Sequence, residues 1–262
     1  MKLRNIISFL EEKAPISLQE TYDNSGLILG NPDTEVSKVL VCLDVDIDAI
    51  DYAISQNCQL VLSHHPTIFK ALKKFTDTTK ESRILIKAIK NDLALYSSHT
   101  NFDSADGGLS DLLCEKIGLK NIKVLRTTAF DSAEYGAGRY GEIKPTDGIE
   151  FLNRVKSKLS LESMRYVGQI PQTVTRVAVY NGSYDREILD NLISISPVIL
   201  ITGDLKYHDA QELLFNGIFT IDAGHYGTEI LFVEEMADIL EERFSNLSVI
   251  RYKGKDVFNI YN

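Results

Sequence analysis

The chain has 262 residues, 44% of them hydrophobic and 25% charged, the balance of a soluble globular protein whose core is large enough to hold together without a metal or a disulfide. With 28 basic against 37 acidic side chains its net charge is −9, which argues against nucleic acid as a partner, since such binders show a basic face and no run of Lys or Arg stands out. Three widely spaced cysteines, Cys42, Cys58 and Cys114, form no CxxC pair and sit in apolar stretches, so buried free thiols in a reducing cytoplasm are expected.

The opening MKLRNIISFLEEKAP is interrupted by Glu11, Glu12 and Lys13 and lacks the apolar run of a signal peptide. No stretch approaches the ~20 apolar residues that cross a bilayer. A cytoplasmic protein without membrane contact is therefore expected. KVLVCLDV (38–45) reads as a buried strand, followed by a helix over 47–56. QLVL (59–62) is a second strand that runs directly into SHHP. A helix over 82–90 precedes LALYSS, a third strand that runs into HTNFD; residues 107–117 form a third helix, and NIKVL closes this half.

The second half repeats the pattern. TRVAVYNGS is strand then turn, 185–193 a helix, PVILITGD strand then turn, 207–214 a helix, IFTIDAG a strand and 225–244 one long final helix. The Gly- and Tyr-rich stretch 126–167 reads as the junction. This alternation implies an α/β fold of two related subdomains, 1–125 and 126–262, with mainly parallel sheets covered by helices. A functional site is then expected in the cleft at the carboxyl ends of the strands.

Four of the five histidines, His64, His65, His99 and His225, lie just beyond a predicted strand end. In SHHP the two adjacent side chains would point to opposite faces of a strand, so two ions can take one each more readily than a single ion can take both. SSHTNFDSADGG adds His99, Asp103 and Asp106. As a lone feature Asp103 would read equally well as a helix cap or turn residue. In DAGHYGTE, His225 and Glu229 are i and i+4 and share one helix face, a common metal clamp, and Gly224 and Gly227 would let the backbone come close. Alone, that spacing describes many ordinary helix starts. Together, three strand ends deliver a mixed nitrogen and oxygen set that suits zinc, iron, manganese, cobalt or nickel and suits calcium poorly.

The other candidates are weaker. LITGDLKYHDAQE holds Asp204, Lys206, His208 and Asp209, which fit a substrate contact or a capped helix start equally. Gly182 in VAVYNGSYD could make a small anion-binding turn, and Asp23 and Asn24 could line a pocket or form a turn. No GxxxxGK[ST], GxGxxG or GxSxG motif occurs, so classical nucleotide loops and a serine-nucleophile elbow are absent.

The blocks YDNSGLILG, SHHP, SSHTNFDSADGGL, ITGDLKYHDAQE and IDAGHYGTE run in order through nearly the whole chain. In them the chain resembles the GTP cyclohydrolase 1 type 2 homologue family, also called Nif-three-like dinuclear-metal-centre proteins. The resemblance implies a paired α/β fold and a two-metal site held by His64, His65, Asp103, His225 and Glu229. It also implies a ring-shaped homo-oligomer, commonly a hexamer, with the sites facing an internal cavity. The chain departs from the pattern after VAV, where a Gly-rich turn is replaced by YNGSYD, and it has no room for the domain that some relatives insert mid-chain.

Two ions side by side make a bridging water or hydroxide a nucleophile near neutral pH. Metal-assisted hydrolysis of a nucleotide-like small molecule or a phosphoester is the expected chemistry, with Glu229 bridging the ions and His99 orienting a ligand or shuttling a proton. The rival reading is a metal-handling or regulatory binding protein without turnover, which would use the same ligands.

Overall fold

The computed structural model describes residues 1–127 and 134–261; residues 128–133 of the expected junction lie outside the described residues. In chain order the first elements are α1 (Leu3–Lys13), β1 (Gly26–Leu29), β2 (Lys38–Cys42), α2 (Ile47–Ser55), β3 (Leu60–Ser63), α3 (Lys80–Lys90), β4 (Ala94–Ser97) and α4 (Thr100–Ser104). Next come α5 (Leu109–Ile117), β5 (Lys120–Thr127), β6 (Gly136–Thr146), α6 (Gly148–Lys158), β7 (Arg165–Val167), β8 (Val174–Ser183) and α7 (Leu189–Ser194). The chain ends with β9 (Ile199–Gly203), α8 (Tyr207–Phe215), β10 (Phe219–Asp222), α9 (His225–Glu229), α10 (Leu231–Arg243) and β11 (Ser248–Tyr252). Among the described residues no helix is long and apolar enough to cross a membrane.

The chain divides into two compact units, one of Met1–Phe102 with Ile230–Lys255 and one of Asp103–Glu229 with Asp256–Asn262. A single boundary near residue 126 is thus replaced by crossings at Phe102/Asp103 and Glu229/Ile230. The reason is in the strand pairing. β11 returns to pair in parallel with β2, so the end of the chain completes the first sheet, while β5, read from the sequence as closing the first half, pairs antiparallel with β6 in the second.

In the first unit the sheet order is β1-β4-β3-β2-β11, with parallel pairing throughout except for β1, which runs antiparallel along β4. β3 and β4 are buried at every position, which explains why they read as unbroken apolar runs rather than alternating ones. Leu40, Ile50, Val61, Ile84 and Leu95 form the core. Helix starts are fixed by side chains: Asp46 accepts from the Ala49 amide at α2, and Thr79 from the Ser82 amide at α3.

In the second unit the order is β5-β6-β8-β9-β10-β7. Only β8, β9 and β10 pair in parallel; β5, β6 and β7 make antiparallel ladders around them. The expectation of mainly parallel sheets therefore holds in the first unit, and in the second only at its centre. Ala178, Ile188, Leu192, Leu200 and Leu213 form this unit's core. The final helix expected over 225–244 is broken at Ile230 into α9 and α10. Thr228 accounts for the break: its hydroxyl bonds back to the carbonyls of Gly224 and His225, a contact that bends helices.

Candidate metal ligands in the two units

Each unit carries candidate ligands: in the first they stand past the carboxyl ends of β3 and β4, and in the second they come from α4 and from α9, which follows β10. In the first, the chain leaves β3 at Ser63 and places His64 and His65 at the rim, with His99 just beyond β4. His64 is fully buried, and a ring nitrogen from each of His64, His65 and His99 lies within 4.8 Å of the others. The opposite-face argument from strand alternation does not apply to the adjacent pair, because both residues stand past the end of the strand; their rings lie 5.1 Å apart, tilted by 44°.

What fixes these rings is their Nδ1 atoms. His64 donates to the Ser98 carbonyl at 2.8 Å, so its proton is on Nδ1 and the Nε2 lone pair is the one for a cation. His65 pairs through Nδ1 with Asp44 at 2.8 Å, and His99 with Asp23 at 2.7 Å. Asp23 reaches it from the segment just before β1, whose antiparallel register sets Gly26 opposite Ser97 at the end of β4. Burial opposes the charge on Asp23, but the His99 ring, the Thr100 hydroxyl and the Asn24 amide outweigh it and hold the carboxyl well below the usual carboxylate range.

Beside His65 opens a cleft of about 430 Å³ whose lining includes Asp44, Phe69, Lys70, Leu72, Lys80 and Glu81. The loop between β3 and α3 supplies much of it.

In the second unit α4 carries Asp103, and α9 carries His225 and Glu229. Glu229 is only 3% exposed. His225 Nδ1 is held by Asp204 at 2.8 Å, and its Nε2 lies 2.9 Å from Glu229 Oε2. With the proton on Nδ1, that second contact sets two lone pairs face to face, an arrangement that requires a further proton or a cation between them. The other oxygen, Glu229 Oε1, accepts from the amide of Asn181 at 3.2 Å, and the same amide donates to Asp103 Oδ1 at 2.8 Å.

Two glycines make room for this group. Gly182 has φ +66, and a Cβ there would overlap Glu229 Oε1 and sit 3.4 Å from His225 Nε2. At Gly203 a Cβ would come within 2.6 Å of the His225 backbone nitrogen. The roles expected of Gly224 and Gly227 pass to these two: a Cβ on Gly224 would meet nothing within 4 Å, and Gly227 abuts Leu161. Gly182, expected as a small anion-binding turn, instead donates its amide to Thr228 and leaves space for a carboxylate.

The donors are of kinds that could hold a metal ion: in the first unit imidazoles whose Nδ1 is engaged, and in the second an imidazole, buried carboxylate oxygens and a glycine cradle that a Cβ would fill. All of the sequence-predicted ligands stand within one or other group, His64 and His65 in the first unit and Asp103, His225 and Glu229 in the second. His208 does not; it is exposed on α8 against Gln211. Asn181 escaped the sequence reading, as did the orienting roles of Asp44 and Asp204. A buried Asn has no spacing signature. An acid just after a strand and its first turn was the only signal for the two aspartates.

Comparison with known proteins gives a consistent picture. The family model described as Duf34/NIF3 (NGG1p interacting factor 3) matches residues 1–256. A protein of Clostridium perfringens named GTP cyclohydrolase 1 type 2 homolog is 33% identical, covering 98% of this chain and 99% of its own length. A hypothetical protein of Staphylococcus aureus has a similar structure, with a TM-score of 0.91, 27% identity, and coverage of 100% of this chain and 99% of that one. A Bacillus cereus protein related to NIF3 shares the fold with a TM-score of 0.91 at 23% identity, over 100% of this chain and 99% of that one.

Proposed function

The chain belongs to the Duf34/NIF3 family, and from that premise we propose that it binds two divalent metal ions through His64, His65, Asp103, His225 and Glu229 and acts as a metal-dependent hydrolase. The observation that carries this reading is the geometry of Glu229. One oxygen of its buried carboxylate lies against His225 Nε2, and the other shares the Asn181 amide with Asp103. A carboxylate so placed would offer an oxygen to a bound cation on either side, with His225 and Asp103 as the residues that would share the task of holding it. His64 and His65, each with Nδ1 engaged, would offer their Nε2 atoms as the imidazole donors of the first unit.

When bound, such a pair supplies Lewis acidity and brings the ionisation of water toward neutral pH. The protein's own groups do the rest. A His99 ring nitrogen lies within 4.8 Å of the His64 and His65 nitrogens, a span that one water can relay, and the Asp23 carboxylate holds its Nδ1, so Nε2 is the atom that takes or gives a proton. The cleft beside His65 is where a small substrate would lie, with Lys70 and Lys80 for its anionic groups and Phe69 for a planar one. This supports a nucleotide-like molecule or a phosphoester as the substrate class. The exposed Leu214 and Phe215 on α8, 54% and 89% accessible, support the homo-oligomeric ring that the family resemblance implies, a hexamer by that resemblance.

The test is a hydrolysis screen over nucleotides and phosphoesters with the full chain loaded in turn with zinc, manganese, iron, cobalt and nickel, against a chelated control. Metal-dependent turnover is expected, and His99→Ala should lower kcat by about 10²-fold while keeping the metal. A protein that holds its ions and turns over nothing belongs instead to metal handling or regulation.

A further inference from the structure

We propose that Asn181 is a positioning residue whose side-chain amide holds the carboxylates of Asp103 and Glu229 together before any cation arrives; this rests on reading those two residues as ligands. Asn181 is 8% exposed, and its amide nitrogen donates to Asp103 Oδ1 at 2.8 Å and to Glu229 Oε1 at 3.2 Å. Its own oxygen accepts from the Ser110 hydroxyl at 2.7 Å. Flipping the amide would turn that oxygen toward two carboxylates, three acceptors with no donor among them, so the network determines its orientation.

Ser110 lies in the first turn of α5, and its neighbour Asp111 holds the other side of the arrangement. The buried guanidinium of Arg139 donates to Asp111 Oδ1 at 2.8 Å and to the Ala105 carbonyl at 2.8 Å, so it ties down the chain just past α4, which carries Asp103. One turn of α5 therefore sets both the helix end behind Asp103 and the amide in front of it.

The choice of an amide has a physical consequence. Two nearby carboxylates repel and, left alone, would turn apart or share a proton. A Lys or Arg between them would remove the repulsion but occupy the place of a cation. An Asn donates two hydrogen bonds and carries no charge, so it steadies both acids without putting a cation of its own where a metal would sit. The pair is thus pre-set at little electrostatic cost to the incoming ion, the role that neighbours of metal ligands perform elsewhere.

The experiment compares the full chain with Asn181→Ala, Asn181→Asp and Ser110→Ala by two readouts: thermal midpoint in chelator, and titration of the metal-free protein with cobalt(II) followed by its visible absorption. Asn181→Asp keeps the shape and the Ser110 bond but replaces the donor with a third carboxylate, so its metal-free midpoint should fall by about 5 °C or more. Asn181→Ala should weaken cobalt binding about 10-fold or more, and Ser110→Ala by less, through a loosened amide. An unchanged metal-free midpoint in Asn181→Asp, or cobalt binding by Asn181→Ala within about threefold of the wild type, would overturn the proposal. If the wild type takes up no cobalt, the ligand reading fails, while the midpoints in chelator still decide whether the amide holds the two acids.

Discussion

In the first unit three imidazoles are each anchored through Nδ1, His64 on the Ser98 carbonyl, His65 on Asp44 and His99 on Asp23. In the second, the carboxylates of Asp103 and Glu229 are set by one shared amide, and that of Glu229 also by Gly182, whose missing Cβ leaves it space. The contrast follows from the ligand types. An imidazole has two nitrogens, so choosing the tautomer prepares the other one, and a single acceptor behind the ring suffices. A carboxylate has no tautomer to choose. It needs donors to compensate its charge when buried and room for both oxygens. His225 belongs to both classes, anchored by Asp204 through one nitrogen and set against Glu229 through the other.

The largest expected effect breaks the second group at its centre. Glu229→Ala should reduce metal content from about two ions per chain to near none if the carboxylate bridges. Elemental analysis that finds one ion retained would refute bridging.

Next in size is Gly182→Ala, which tests whether space is the organising factor there. The left-handed backbone alone costs a β-carbon about 1–2 kcal/mol, and the methyl overlaps Glu229 Oε1. A lowered thermal midpoint together with at least about 10-fold weaker metal binding is expected. A variant that binds metal as the wild type does would show that the carboxylate has room to move.

The smallest effects sharpen the comparison between the anchors. Asp44→Asn and Asp204→Asn each keep the shape of the partner and remove the charge behind one imidazole, at positions exposed to solvent. Each should weaken metal binding about 10-fold by calorimetric titration and leave stoichiometry intact. Loss of a whole ion in either variant would mean that the aspartate is itself a ligand.

The legibility of the two groups differs in the same way. Strand ends preceding SHHP and HTNFD were readable because buried parallel strands form unbroken apolar runs, and the i, i+4 relation of His225 and Glu229 was readable because helical spacing is regular. The strand β1 and the return of β11 to the first sheet were not. Edge pairing and a chain that crosses back are decided by long-range contacts that no local period encodes. Asn181 and Gly203 were invisible for a related reason: their roles depend on which side chains other segments bring near, and a lone Asn or Gly between a strand and a turn has a local explanation already. The antiparallel ladders of the second sheet likewise hid behind a helix–strand alternation that fits parallel sheets equally well.

The most direct test is the metal content of the full chain purified without chelator, measured by elemental analysis against protein concentration. About two divalent ions per chain, removed by chelation and restored by zinc, manganese or iron, is the expected result. A chain that carries no metal and takes none up would contradict the reading of His64, His65, Asp103, His225 and Glu229 as ligands.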